Sequence, residues 1–259
     1  EDPRWQRCDE AWQGMKMSTP YLAAMHPMEP DHIHEELELM GPDFASYNFE
    51  WLCQCPRWRD QYYASDQTPH YEYMKTVLKI LTWQDGDDGS NTRWVLKCPQ
   101  HLEQLPVLRT VFPDATIAVT HRDPVSVIQS AATMIAYGQR MSRDSIDLGS
   151  VVDYWSDRVH HLLEACTRDR ASLSEKQSID VPFHEFMADD IGMVRAALAK
   201  PPRSGGADFF EQFGAIDTSG ELVTRLNELS SGAGRGGAAV AGDAKVIVIR
   251  EANLLKASD

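Results

Sequence analysis

A repeated alternation of apolar runs and helix-type segments between residues 93 and 139 constrains the fold of this chain most strongly. The run RWVLKCP suits a buried strand, and HLEQLPVLRTVF after it reads as a helix. After a PDA turn, TIAVTHRD suits a second strand. The segment PVSVIQSAATMIAYGQR then begins with proline, which is favoured at the first helical position. Strand and helix in this order predict an α/β fold with a parallel sheet and right-handed crossovers.

The part of the chain before this alternation, residues 3–84, reads as mostly helical. It includes EPDHIHEELELM, which we expect to form a helix after a capping segment. In YEYMKTVLKILTWQ, helical spacing places four apolar residues on one face, and we expect that face to be buried. These residues are Tyr73, Val77, Ile80 and Leu81.

The part after it continues the pattern and then changes in composition. We predict a helix over 148–170, a strand over 178–186 and a helix in MADDIGMVRAALAK. The stretch SSGAGRGGAAVAG resembles a flexible linker, and AKVIVIRE (244–251) could form one more strand. The sequence therefore predicts a domain over 1–200 and leaves 201–259 as an unassigned Gly/Ala-rich linker with a possible extra strand.

Charge and hydropathy exclude several classes of partner. The net charge of −14 argues against nucleic-acid binding, which needs Lys and Arg to neutralise phosphates. An anionic cofactor remains compatible with it, because local basic groups and helix ends decide such binding. No apolar run approaches ~18 residues, so we expect no membrane span. The polar first residues, EDPRWQRCDE, are unlike a signal peptide, which favours a cytoplasmic location.

The cysteines suggest neither a disulfide framework nor a metal centre. There are five, an odd and scattered set, which is typical of a reduced intracellular protein. Cys53 and Cys55 form a C-x-C motif, but no second cysteine pair accompanies it, so zinc binding is not expected.

The first block with chemical potential is WVLKCPQHL, in which a strand ends at Lys97 and a proline turn leads to His101. In an open parallel sheet, ligands bind beyond the carboxyl ends of the strands, where both residues would lie. Histidine is well suited to accept a proton from a hydroxyl near neutral pH. The alternative is that both side chains are simply solvated at a helix start.

The second block is THRDPVSVIQS, in which Arg122 ends a strand and Asp123 can cap the next helix. Ser126 and Ser130 are four residues apart and share a helix face. An arginine fork, a hydroxyl and a helix amino terminus can together hold a phosphate. The alternative is that Arg122 pairs with Asp123 or another carboxylate and that the serines only pack.

In this order and spacing, the two blocks resemble the sulfotransferases that use 3′-phosphoadenosine 5′-phosphosulfate (PAPS), and in particular a bacterial branch of them. In the cytosolic branch, a strand ends in Lys-x-His and the next ends in Arg, with a Ser eight residues later. Here the turn from Lys97 to His101 is two residues longer, and Arg122 and Ser130 keep the offset of eight. The segment MHPMEPDHIHEELELM also resembles the helical insertion of that branch. The resemblance covers roughly residues 1–195.

The resemblance implies a three-layer α/β/α fold of the P-loop type and transfer of a sulfuryl group from PAPS to an acceptor hydroxyl or amine. Arg122 and Ser130 would hold the 3′-phosphate of PAPS, and His101 would be the catalytic base. Lys97 would stabilise charge on the bridging oxygen. No metal is implied, and the acceptor would be a small molecule.

The chain departs from the family at the phosphate-binding loop. The family opens with a strand and a loop similar to Pro-Arg-Ser-Gly-Thr-Thr, and the first forty residues contain no match. The segment at 202–206, PRSGG, follows a predicted helix and lacks the hydroxyl residues, so it does not have the setting of a phosphate loop. We therefore expect the chain as printed to be inactive, and expect exposed strand edges to favour homo-oligomers.

Other histidines are weaker candidates. His32 and His34, with the carboxylates after them, could suggest a metal site, as could His160 and His161. On one helix, however, residues one or two apart point to different faces, so solvated helix surfaces explain both pairs better.

Alternative assignments remain open for the base and for the function. Glu35 or Glu36 could replace His101 as the base. A G-x-S-x-G elbow and a G-x-x-x-x-G-K-[ST] loop are both absent from the sequence, which disfavours a serine hydrolase and a P-loop kinase. The chain could instead be a non-enzymatic remnant that acts as a binding module, or another nucleotide-binding transferase that shares only the Arg-Ser site.

Overall fold

The computed structural model describes residues 2–32, 34–84 and 94–198, together with the backbone of 246–250. The α-helices in these ranges are α1 (Pro3–Ser18), α2 (Leu22–Met25), α3 (Leu37–Met40), α4 (Asn48–Cys53), α5 (Pro56–Ala64), α6 (Thr68–Gln84), α7 (Leu105–Val111), α8 (Pro124–Gln139), α9 (Leu148–Asp169), α10 (Phe183–Ala188) and α11 (Asp190–Leu198). The strands are β1 (Val95–Lys97), β2 (Thr116–His121), β3 (Ser178–Pro182) and β4 (Val246–Arg250).

The four strands form one parallel sheet in the order β1-β4-β2-β3, which confirms the predicted α/β class. The run AKVIVIRE supplies β4, and this strand lies between β1 and β2. Ile247 is in register with Leu96 on one side and with Ile117 on the other. A strand from the carboxyl-terminal part of the chain therefore lies inside the sheet, between two strands that come much earlier in the sequence.

Both faces of the sheet are covered. Along β2, Ile117 and Val119 belong to the main apolar core, whereas Ala118 between them packs with Val181 and Ala197 in a second core. Successive side chains of a strand point to opposite faces, so this alternation places packed layers above and below the sheet. The layers confirm a three-layer α/β/α arrangement, in which α11 packs on β2 and β3.

The buried face of α6 differs from the expected one. Ile80 of the expected face is 48% exposed. The residues of α6 that are buried follow the same helical spacing from a different start, and they are Tyr71, Met74, Leu78 and Thr82. The helical spacing predicted α6 correctly, but the face that packs on α3 and α7 includes two side chains with hydroxyl groups, Tyr71 and Thr82. Tyr71 is thereby buried beside the turn that follows β1.

The expected helix over EPDHIHEELELM forms only at its end, as α3. The chain turns at Asp31 and His32, and residues 34 and 35 are not helical. The Glu36 carboxylate, just before α3, is bound to groups that follow β1, which fixes the approach of this segment to the sheet.

The strand expected over 178–186 ends at Pro182, and α10 begins at the next residue. Proline lacks an N–H for the strand ladder, and its fixed φ is compatible with the residue before a helix. Pro182 has φ −63° and is the residue immediately before α10. Within the described residues, no helix is long and apolar enough to cross a membrane.

Candidate functional site

The carboxyl ends of the strands define the candidate site. β1 ends at Lys97 and β2 at His121, with Arg122 immediately after it. The strands are parallel, so these ends lie at the same edge of the sheet. Because β4 lies between them, the ends of β1 and β2 are two strand spacings apart, or about 10 Å.

His101 lies in the 3₁₀ turn Pro99–Glu103, directly after β1, and its side chain is completely buried. Its Nδ1 is 2.8 Å from the Tyr71 hydroxyl, and its Nε2 contacts the Glu36 carboxylate. A neutral imidazole that carries its proton on Nε2 satisfies both contacts: Tyr71 donates to Nδ1, and Nε2 donates to Glu36. Burial raises the pKa of Tyr71 well above its usual value, which keeps the phenol protonated as a donor.

Glu36 connects the buried contacts of His101 to the end of β1. Its Oε2 accepts the backbone N–H of Lys97 at 2.8 Å, while Oε1 faces His101. The Lys97 ammonium pairs with Glu35, and these two side chains are partly exposed, at 30% and 21%. The site therefore has an interior carboxylate–imidazole–phenol chain and an outer lysine–glutamate pair.

The turn that carries His101 is anchored by a buried ion network. Arg158 of α9 donates to both carboxylate oxygens of Glu103, at 2.6 and 2.8 Å, and its Nε donates to Glu50 at 2.7 Å. Burial alone would lower the pKa of Arg158, but the two carboxylates, with Glu103 foremost, raise it well above its usual value. An arginine that stays charged and makes three charge-assisted bonds holds the turn to α9.

A second anchor is the buried amide of Gln100. Its Oε1 accepts the backbone N–H of Tyr47 at 2.8 Å, and its Nε2 donates to the carbonyl of Ala45 at 2.8 Å. This side chain fastens the segment before α4 to the turn after β1. The geometry around His101 is thus fixed from several elements at once.

Three histidines gather beside Lys97. The rings of His32 and His34 are 5.6 Å apart between centroids, and those of His26 and His34 are 6.3 Å apart. Burial lowers the pKa of His26, and repulsion from His34 and Lys97 adds to the effect. The helix on which the pair was expected to diverge does not form there, so the two rings meet. No group of three or more His, Cys, Asp or Glu side chains suited to a metal ion occurs in the part of the chain that the structure describes.

The end of β2 is more open. The Arg122 guanidinium lies over the ring of Phe183, 4.9 Å from its centroid. Asp123 caps α8 as expected, since its carboxylate accepts the N–H groups of Val125 and Ser126 at 3.3 and 3.2 Å. The Ser126 hydroxyl also donates to Asp123 at 2.8 Å. The first donors of α8 are therefore engaged by its own cap.

Ser130 lies one turn further along α8 and is 9% exposed. The sequence indicated the shared helix face of Ser126 and Ser130, but Ser126 is engaged by the cap.

Sequence reasoning missed Tyr71 and His26 altogether. Tyr71 follows the same helical period as the residues that were chosen, but from a different starting residue, so the period alone could not identify it. His26 lies in a segment with no regular pattern, and its Nδ1 is buried without a hydrogen-bond partner among the described residues. Glu36 was named as an alternative base, and it is the carboxylate that contacts His101.

Comparison with known proteins gives a consistent result. The model of the sulfotransferase family matches residues 1–200. Sulfotransferase STF1 from Mycobacterium tuberculosis H37Rv is similar in structure, with a TM-score of 0.67 at 22% identity over 90% of this chain and 63% of that chain. Sulfotransferase STF9 from Mycobacterium avium gives a TM-score of 0.65 at 19% identity over 88% of this chain and 55% of that one. The chain thus spans less than two thirds of either structure. No curated protein matches the chain in sequence.

Proposed function

Because this chain belongs to the sulfotransferase family, we propose that it serves sulfuryl transfer from PAPS to the hydroxyl or amine of a small-molecule acceptor. The observation that carries the proposal is the convergence of Lys97, Glu36 and His101 at the carboxyl end of β1, the edge where α/β sheets bind their ligands. Arg122, at the end of β2, and Ser130, on α8 after it, are proposed to hold the 3′-phosphate of PAPS.

In the proposed reaction, the acceptor oxygen or nitrogen attacks the sulfur of PAPS and the bond from sulfur to the bridging oxygen breaks. The acceptor proton passes to Glu36, and 3′,5′-bisphosphoadenosine leaves. The His101 side chain is completely buried and that of Glu36 is 4% exposed, so we place His101 behind Glu36 as a positioning residue. Its Nε2 holds one carboxylate oxygen, and Tyr71 holds its Nδ1. Lys97 stabilises the charge that develops on the bridging oxygen.

Nucleotide binding tests the Arg122 assignment. We expect the 259-residue chain to bind 3′,5′-bisphosphoadenosine in calorimetry and Arg122→Ala to weaken binding by about 1.5–3 kcal/mol, the scale of a charged hydrogen bond. The matched control is Arg143→Ala, an exposed arginine beyond α8 that should leave the affinity unchanged. Equal affinities for wild type and Arg122→Ala would remove Arg122 from the site.

Turnover tests the base, and it is measured on the chain joined to a phosphate-binding loop, because the 259 residues alone are expected to be inactive. Transfer of radiolabelled sulfate from PAPS to a panel of phenols, sterols and sugars should fall at least about 10²-fold in Glu36→Gln, the usual scale for the loss of a positioned base. Glu38→Gln, an exposed carboxylate of α3, is the matched control. Tyr71→Phe should lower kcat less than Glu36→Gln does. It should also change the pH dependence of kcat while leaving KM unchanged. Turnover of Glu36→Gln within threefold of wild type would assign the base elsewhere.

The binding-module alternative gives a different result in the same experiments. A chain that binds 3′,5′-bisphosphoadenosine through Arg122 and transfers no sulfate to any acceptor in the panel would support a binding role instead. Binding without turnover would therefore replace the catalytic role with a binding role. Turnover that does not depend on Glu36 would keep the catalytic role and assign the base to another residue.

A further inference from the structure

The turn between α4 and α5 places two cysteines on either side of one residue in a rare backbone conformation. Cys53 is the last residue of α4, and Cys55 precedes Pro56, the first residue of α5. Gln54 between them has φ 47° and ψ 69°, in the left-handed region that side chains other than glycine seldom adopt. Among the described residues, only Phe44 is another non-glycine residue with positive φ.

Several contacts hold this conformation in place. The Gln54 N–H donates to the carbonyl of Glu50 at 3.0 Å, which closes the end of α4. The Gln54 Oε1 accepts from Nε2 of Gln139, a buried side chain at the end of α8, at 2.9 Å. On the other side, Cys55 precedes Pro56 and has φ −95° and ψ 78°, outside the helical region that a residue before proline avoids. The turn is therefore organised before any chemistry occurs at the cysteines.

The two thiols are close and accessible. Both cysteines are free, Cys53 is exposed and Cys55 is partly buried. Residues separated by one other span at most ~7 Å, and a turn shortens this toward the Cα separation of ~4.4–6.8 Å that a disulfide requires. The separation of the two residues along the chain therefore lies within the range that a disulfide needs.

We propose that Cys53 and Cys55 form a reversible disulfide across Gln54, which makes this turn a thiol oxidation site. The oxidant is a small disulfide such as oxidised glutathione. The Cys53 thiolate attacks one sulfur of that disulfide and expels one glutathione thiolate. The Cys55 thiolate then attacks the Cys53 sulfur of the mixed disulfide, forms the internal bond and releases the second glutathione. Two cysteine thiols are oxidised, one glutathione disulfide is reduced, and the two protons pass to the glutathione thiolates.

The order of attack follows from the surroundings of the two thiols. Burial raises the pKa of Cys55, and Cys53 and Glu50 add to this effect. The more exposed Cys53 therefore reacts first with the oxidant, because reactivity depends on both thiolate character and access. The ring closes rapidly after that, since the turn already holds the second thiol beside the first.

Equilibration of the full chain with oxidised and reduced glutathione tests this site. After acid quenching and alkylation of the remaining thiols, peptide mapping should show that the peptide with Cys53 and Cys55 has lost two hydrogens and carries no alkyl group. Cys98 and Cys166, which are buried, should be alkylated only after unfolding. Cys8→Ser should oxidise like the wild type, because Cys8 lies on α1, outside the turn.

Two substitutions at Gln54 test the geometry independently of the cysteines. Gln54→Gly allows left-handed backbone freely and should retain the internal disulfide in the same redox buffer. Gln54→Val disfavours that backbone and should reduce the disulfide fraction, relative to the thiol form, at least about fivefold. Separate glutathione adducts on Cys53 and Cys55, or equal disulfide fractions in the Gly and Val variants, would overturn the proposal. Neither measurement depends on sulfate transfer.

Discussion

The turn after β1 and the end of β2 lie at the same edge of the sheet, but the protein builds them in opposite ways. Around His101, buried polar side chains hold one another: Tyr71 and Glu36 contact the imidazole and, further along the turn, Arg158 pairs with Glu103. At the end of β2, Asp123 is exposed and His121 has half of its side chain exposed. The first region is fixed before a ligand arrives, whereas the second is open to one.

This difference separates the roles that the two regions can have. A positioned base needs a fixed geometry, and its precision depends on supporting contacts behind it. A site for a charged phosphate needs a cation that solvent and ligand can reach. We expect substitutions in the buried region to cost folding stability and those at the end of β2 to cost much less.

The largest loss should come from Arg158→Met. This substitution leaves the Glu50 and Glu103 carboxylates buried without their cation, and removing one partner of a buried ion pair typically costs about 3–5 kcal/mol. The free energy of unfolding from urea titration is the measurement. Arg168→Met, on the same helix but with 65% of the side chain exposed, should stay within about 0.5 kcal/mol of wild type. A loss below about 1 kcal/mol in Arg158→Met would show that the network does not hold the turn.

The next loss should come from Gln100→Leu. Leucine has a similar size, but it leaves the N–H of Tyr47 and the carbonyl of Ala45 without their partner, at a cost of about 1–3 kcal/mol. Amide hydrogen exchange should also accelerate at Tyr47. Gln104→Leu is the comparison, because Gln104 is only partly buried and donates to one hydroxyl, that of Tyr62. Equal losses in the two variants would mean that the Gln100 bridge has no special role.

These two regions also differ in how far the sequence could predict them. The strand–helix alternation and the proline and aspartate at the start of α8 are local signals, and the structure follows them closely. The Glu36–His101–Tyr71 chain joins residues that are 65 and 30 positions apart, and no local pattern encodes such contacts. Apolar spacing identified α6 as a helix, yet which face it buries depends on what packs against it.

The position of β4 was beyond sequence reasoning for the same reason. An apolar run such as AKVIVIRE predicts a strand, but its place in a sheet depends on which edges of other strands remain unpaired. Residues 246–250 lie about 125 positions after β2 in the chain and still pair with it in parallel.

At the open end of β2, Asp123→Ala should have a moderate effect. It removes the side chain that accepts the N–H groups of Val125 and Ser126 at the start of α8, and a lost cap should lower Tm by roughly 2–4 °C in a chain of this size. Asp123→Ser keeps an acceptor and should recover most of the loss. A Tm drop in Asp123→Ala as large as that of Gln100→Leu would contradict the contrast between the two regions.

The smallest effect should come from Asp180, which lies beside the end of β2 and accepts from Arg170 at 2.6 Å and from His121 at 2.8 Å. The hydrogen bond from Arg170 lowers the pKa of Asp180, burial opposes it, and His121 adds to the lowering. The pKa of Asp180 is lower in the folded protein than in the unfolded protein, so its bonds to Arg170 and His121 stabilise the fold above the unfolded pKa. This contribution is lost as the pH falls through the folded pKa. With half of the Asp180 side chain exposed, its ion pair with Arg170 should contribute less than about 1 kcal/mol.

Urea unfolding of Asp180→Asn should therefore show a slightly lower free energy of unfolding than wild type near pH 7. This deficit should shrink with added salt and toward about pH 3. A deficit that is equal at both pH values and in high salt would mean that Asp180 acts through packing rather than through its charge.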